Sequence, residues 1–179
     1  YTIKAGASQE NLIAATTTTA DAAVTLPFNH ILSQVNFALQ KALGVKILLT
    51  NIAVNGVKNT GTYTFGATTP WAATSSTATY SYTPVPGSNI TDGTSTVISY
   101  MGNGCGVYTN DNALMLLPQS FASETDGSFS LDYKLTIIGD ECPNNDVIKN
   151  ASITADLCGF AKSVWRPGKR YIIHVSYYQ

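Results

Sequence analysis

Apolar residues in this chain recur mostly at every second position, in short runs separated by Gly, Pro, Asn and Ser/Thr clusters. Across 25–39, Phe28, His30 and Leu32 share one parity, and Val35, Phe37 and Leu39 share the other. A change of parity within one run means an extra residue, so this stretch predicts a strand with a bulge near Ser33 and Gln34. Phe28, Ile31, Leu32, Val35 and Leu39 also fit helical spacing. The strand is preferred because the rest of the chain repeats short alternating runs and offers no helix. Parity changes again across 45–54, from Val45, Ile47 and Leu49 to Ile52 and Val54, which places a second bulge at Thr50 and Asn51. Asn55-Gly56 is then expected to make a tight turn, since both residues tolerate positive φ.

Shorter alternating runs follow at 60–65, where Tyr63 and Phe65 share a face, at 79–83 with Tyr80 and Tyr82, and at 96–100. Trp71 falls in a loop after Pro70. The apolar run 113–117, closed by Pro118-Gln119, predicts a strand buried on both faces or one entering the core edge. The longest alternation is 128–138, with Phe129, Leu131, Tyr133, Leu135 and Ile137 on one face and Ser130, Asp132, Lys134 and Thr136 on the other. The polar stretch 139–161 shows only a brief strand at 152–154. In the final run, 169–178, Tyr171, Ile173, Val175 and Tyr177 oppose Ile172, His174, Ser176 and Tyr178. Strands at turn-punctuated intervals without helical crossovers predict an all-β protein, an antiparallel β-sandwich of about seven to nine strands.

Composition narrows the function. A chain of 179 residues makes one domain of ordinary size, with room for a short extension. Charged residues are only 12% of it, whereas 38 residues are Ser or Thr, the balance of a strand-rich surface protein with hydroxyls toward solvent. A net charge of −1 without a basic cluster lacks the electrostatic driver for phosphate backbones, so nucleic acid is not an expected partner. No run of eighteen apolar residues is present to span a membrane as a helix. The chain starts at Tyr1 with neither a start methionine nor a secretory segment, so it reads as a processed piece whose targeting signal lies upstream.

Motifs for catalysis are missing. The sequence contains no Gly-x-Ser-x-Gly elbow, His-Glu-x-x-His, phosphate loop or dinucleotide fingerprint. Gly102-Asn103-Gly104-Cys105-Gly106 lacks the Lys-Ser/Thr and the helix that a phosphate loop needs. His30 and His174 sit between apolar neighbours and are expected as core or half-buried residues. Asp140, Glu141 and Asp146 fail the alternate-residue pattern of a calcium loop, which leaves a solvated turn. The expectation is a non-enzymatic protein with no cofactor and no metal. Cys105, Cys142 and Cys158 are an odd count: in an oxidising compartment Cys142 and Cys158, flanking one loop, form the preferred disulfide, worth roughly 3 kcal/mol, and otherwise all three stay thiols. Asn89-Ile90-Thr91 and Asn150-Ala151-Ser152 fit the short N-glycosylation pattern. Trp71 with Tyr80 and Tyr82 is the candidate glycan contact, set against a buried or capping tryptophan.

Four pieces in order carry a resemblance: Leu26 to Phe37, Gly61-Thr62-Tyr63 followed by Trp71, Leu114-Met115-Leu116-Leu117-Pro118-Gln119, and Trp165 to Val175 with its Trp-x-x-Gly-Lys-x-Tyr pattern. Together they resemble the fimbrillin family, the subunits and accessory proteins of type V pili of the Bacteroidales. The resemblance implies transthyretin-like, Greek-key sandwich domains in a lipoprotein precursor trimmed at the outer membrane, so the chain is expected at the cell surface. It implies 1–21 as the tail of a preceding domain with its linker, and 22–179 as the C-terminal sandwich. It also implies assembly with other pilus subunits by β-strand addition, through a vacated sheet edge, with host proteins or glycans as further partners. No spare arm follows the last strand, so that strand would itself be the assembly strand, with Tyr171, Ile173, Val175 and Tyr177 as candidates. An accessory, tip or anchor role is the alternative to a stalk subunit, and a carbohydrate-binding surface module is the competing class.

Overall fold

The computed structural model describes residues 1–5, 9–17, 23–41, 45–82, 96–98, 113–137, 147–159 and 164–177. The strands in the first half are β1 (Ile13–Ala14), β2 (Asn29–His30), β3 (Ser33–Lys41), β4 (Val45–Lys58), β5 (Gly61–Tyr63), β6 (Trp71–Ala73) and β7 (Thr77–Tyr82). Those in the second are β8 (Thr96–Ile98), β9 (Leu114–Leu116), β10 (Gln119–Ser120), β11 (Ser128–Ile137), β12 (Val147–Asp156), β13 (Val164–Trp165) and β14 (Arg170–Tyr177). Eight of them build two sheets. One has the order β12-β11-β4-β7, and the other has β14-β3-β8 with β9 also on β3. The protein is an all-β sandwich, and a single short 3-10 turn at Leu157–Gly159 is the only helical element among the described residues.

The core lies where the inward faces meet. Val35 and Phe37 of β3, Leu114 and Leu116 of β9 and Ile173 of β14 come from one sheet; Leu49, Ile52, Val54 and Val57 of β4, Tyr80 of β7, and Phe129 and Leu131 of β11 come from the other. Phe37 and Phe129 meet across the gap with ring centroids 5.8 Å apart. Burying each large apolar side chain contributes about 1.5–3 kcal/mol, so this layer dominates the favourable side of folding. Residues in the stretches 1–5 and 9–17 pack on the same body. Thr2 bridges to Thr60, Ile3 is buried in the core, the Ile3 amide donates to Asn59 O at 2.8 Å, and β1 pairs with β2.

β4 keeps one face on the core from Leu49 to Val57 by slipping twice. Leu49 pairs with Tyr133 and Asn51 with Asp132, which leaves Thr50 as the extra residue, its hydroxyl donating to Asp132 O at 2.9 Å. The bulge expected at Thr50 and Asn51 is present. The Asn55-Gly56 turn is not: β4 runs on to Lys58, and Asn55 and Gly56 bulge between the pairs Val54↔Tyr80 and Val57↔Ala78. Gly56 does take positive φ, at 66°. The conformational reading was right and its consequence was different, because a glycine in the left-handed region serves a strand bulge as well as a hairpin.

Residues 25–39 are likewise not one bulged strand. β2 and β3 are separate, joined by buried Ile31 and Leu32, and pair with β1 and β14 respectively. The parity change is therefore a change of partner. Phe28 is 61% exposed and His30 is exposed, the latter with Nδ1 hydrogen-bonded to Asn11 Oδ1 at 2.9 Å. His174 is exposed too, so neither histidine is the core residue its neighbours suggested. β14 and β3 run parallel, from Arg170↔Gln34 to Tyr177↔Lys41, a departure from the all-antiparallel expectation.

Candidate assembly edge

β14 is the outer strand of its sheet, with β3 on one side and no strand on the other among the described residues. Its alternation sorts the side chains. Ile173 is buried, Tyr171 and Val175 are half-buried against the core, and Arg170, Ile172 and His174 are exposed. Tyr177 pairs with Lys41 in register; its side chain lies outside the described residues. A half-open groove of about 420 Å³ runs beside the strand, lined by Leu157, Trp165 and residues 170–174.

The turn that delivers β14 is fixed at several points. Gly168 has φ 66°, and a Cβ there would lie 3.0 Å from His30 O, so both conformation and space call for glycine. The Gly168 amide donates to Leu32 O at 2.9 Å, the Ser33 hydroxyl to Arg166 O at 3.0 Å, and the Gln34 amide to Lys169 O at 2.9 Å. Tyr171 accepts the Arg166 amide on its hydroxyl at 2.8 Å. Trp165 is buried between Phe121, 4.6 Å away edge to face, and Tyr171, 6.4 Å away.

The Leu-Pro-Gln and Trp-x-x-Gly-Lys-x-Tyr pieces meet here, because β10 pairs with β13 through Gln119↔Trp165. Buried Gln119 receives the Lys58 amide on Oε1 at 2.9 Å and donates from Nε2 to Leu117 O at 3.1 Å. The two pieces thus tie β4, β9 and β14 together where the groove opens. Their work is structural.

The other singled-out residues are scattered. Trp71 lies in a strand, not a loop; its Nε1 donates to Ile31 O at 2.6 Å and its ring stands 5.3 Å from Tyr63. Tyr63 in turn contacts Phe65 edge to face at 5.1 Å, and Phe65 is 60% exposed. Tyr80 corrects the glycan reading: it is buried, its hydroxyl donates to Ile3 O at 3.1 Å, and burial pushes that hydroxyl's pKa up. It offers no face to a sugar. Tyr82 pairs with Ile52, and its side chain lies outside the described residues. Phe65, two residues after Tyr63 and beside a Gly66 turn of positive φ, is the exposed aromatic of this cluster. Cys158 is a half-buried thiol just after β12, while Cys142 and Cys105 lie outside the described residues.

Ion pairs are few among the described residues. Lys4 and Glu10 form the one ion pair among the described residues, and that contact holds the Glu10 carboxyl below its usual range. Tyr1, partly buried and hydrogen-bonded to Glu10, is pushed up to about 12. The Asp126 carboxylate accepts the Ala122 and Ser123 amides at 2.7 and 2.9 Å, and these bonds lower its pKa. Among the described residues no three His, Cys, Asp or Glu side chains gather as metal ligands, and no helix is long and apolar enough to cross a membrane.

The model of the fimbrillin-like family matches residues 3–178. The chain belongs to the fimbrillin-like family. It is similar to a solved fimbrial protein from Bacteroides vulgatus ATCC 8482, at 14% identity and a TM-score of 0.47, over 84% of this chain and 51% of that one. This fimbrillin-like chain spans about half the length of that relative. No curated protein matches the sequence. Fimbrillin-like membership makes the protein pilus-related and assigns the sandwich to a structural family.

Proposed function

We propose that the protein is a non-enzymatic structural subunit or accessory adhesin of a cell-surface pilus, joined to neighbouring subunits by β-strand addition along β14. The observation that carries this reading is the edge itself. β14 has an unoccupied hydrogen-bonding side among the described residues, side chains that alternate core and solvent, and a groove beside it. An added strand satisfies its row of amides and carbonyls and fills the apolar floor in one step. Tyr171, Ile173, Val175 and Tyr177 are the assembly-strand residues, whether β14 receives a strand or is itself lent. The setting is the outer membrane of a Bacteroidales cell, reached as a lipoprotein precursor, with other pilus subunits as partners and host proteins or glycans as targets.

The test takes the full-length precursor, treats it with a trypsin-like protease and runs the product unboiled on a denaturing gel. A ladder of multimers that collapses on boiling is expected. A single monomer band turns the reading toward a tip, an anchor or a free-standing module. One observation favours carbohydrate binding as a second reading, the exposed Phe65 ring on the Tyr63 and Trp71 stack. Phe65→Ala abolishes glycan-array binding with an unchanged melting temperature if that reading holds, a cleaner variant than Trp71→Ala, which also removes the Ile31 hydrogen bond.

A further inference from the structure

The edge is chemically lopsided. Arg166, Lys169 and Arg170 fall within five positions of a chain that has ten lysines and arginines and a net charge of −1. All three are exposed, and the turn that carries them is held by the backbone bonds to Leu32, Ser33 and Gln34. Arg170 Nε donates to the neutral Gln34 Oε1 at 3.1 Å, and none of the three has a carboxylate partner among the described residues. Arg170, Ile172 and His174 alternate along the exposed face of β14, and all three line the groove whose other walls include buried Leu157 and Trp165. The groove therefore offers a strand-pairing edge, an apolar wall and, at Arg170, a cation without a carboxylate partner among the described residues, with Arg166 and Lys169 in the turn that leads into it.

We propose that the groove beside β14 takes an extended, acidic peptide segment of a neighbouring subunit, with apolar residues turned toward Leu157 and Trp165 and carboxylates level with Arg170 and His174. This rests on the strand-addition reading and adds to it the chemistry of the incoming strand. Backbone pairing supplies affinity without regard to sequence, whereas alternate side chains decide which strand is accepted. A carboxylate opposite Arg170 meets an unpartnered cation; a lysine there meets like charge, which costs affinity and slows encounter. The same arrangement works against self-pairing, since a second β14 brings its own Arg170 to the edge.

The experiment uses the full chain and three capped, fluorescently labelled peptides with Val at alternate positions and Glu, Thr or Lys between them. Anisotropy titrations give the preference, and amide exchange followed by NMR reports pairing at residues 171–175. The Glu peptide is expected to bind on the order of tenfold or more tightly than the Lys peptide, to weaken with added salt, and to slow exchange at those amides. The double variant Arg170→Glu/His174→Glu, at two exposed positions, reverses the order of the peptides with the melting temperature unchanged. Should that variant unfold, Arg170→Glu alone tests the same cation. Equal binding of the Glu and Lys peptides, with exchange still slowed, overturns the acidic preference and leaves strand addition standing. No slowing by any peptide overturns both. Binding of the Glu peptide that a sulfated polysaccharide displaces, without slowed exchange, makes Arg170 an anion site and likewise overturns the proposal.

Discussion

β12 and β14 are both outer strands of the sandwich, and they are held in opposite ways. On β12, from Asn150 onward, Asn150, Ser152, Ile153 and Thr154 are all exposed, and only the small Ala151 and Ala155 are half-buried. Ten consecutive pairs with β11 hold it. β14 is shorter, but Ile173, Tyr171 and Val175 reach inward, Trp165 stacks near it, and its entry turn is tied to Leu32 and β3. A strand held by backbone bonds tolerates side-chain change, whereas one held by its side chains depends on a few residues. The second kind is also the one that leaves a groove when the fit alongside it is incomplete.

The largest expected effect tests that contrast directly. Ile173→Ala should cost about 2–4 kcal/mol in urea unfolding, because Ile173 is 7% exposed and its loss leaves a cavity. Ile153→Ala on β12, 42% exposed, should stay within about 0.5 kcal/mol. Equal costs would mean that the two edges are anchored alike. A smaller effect is expected at Gly168→Ala, which forces a Cβ into positive φ and against His30 O; a loss of more than about 1 kcal/mol is predicted. No loss would show that the turn relaxes freely and does not register β14.

The smallest effect belongs to the β12 side. The loop closed by Asp126 leads into β11, and the Leu157 amide at the end of β12 donates to Gly127 O at 3.0 Å. Asp126 has a folded pKa below its unfolded value, so its contribution is fully present above the ordinary carboxylate range near 4 and is lost as pH falls through the depressed folded value. Asp126→Asn should flatten that acid limb of the melting curve and change little at neutral pH. A wild-type limb retained in the variant would move the effect to another carboxylate.

The contrast between the edges also explains what could be read from the sequence. β14, β11 and β9 were legible because large apolar residues alternate or cluster in them, and the Thr50 bulge was legible because parity breaks on both sides of it. β12 shrank to three expected residues because its inward positions include Ala151 and Ala155, too small to mark a face. His30 was misplaced because parity does not say where a strand ends, and the chain changes partner at Ile31 and Leu32. Tyr80 was misplaced for a related reason: alternation says that two faces exist, and only the neighbouring sheet decides which is inside. Strand direction left no mark on the pattern, so the parallel pairing of β14 had to come from the structure. The groove is a product of two edges and was beyond any single segment.

That parallel pairing orders events in time. Arg170 and Gln34, bonded to each other, are 136 residues apart, so β3 emerges early and waits for the last of its partners. Closing a loop of that length is entropically slow, and strands that meet over long separations reward the chain only late in folding. Until then the Val35 and Phe37 strand has one bare side, as open to another chain's strand as to its own. The commitment of β3 to β14 is thus the late, long-range step of folding.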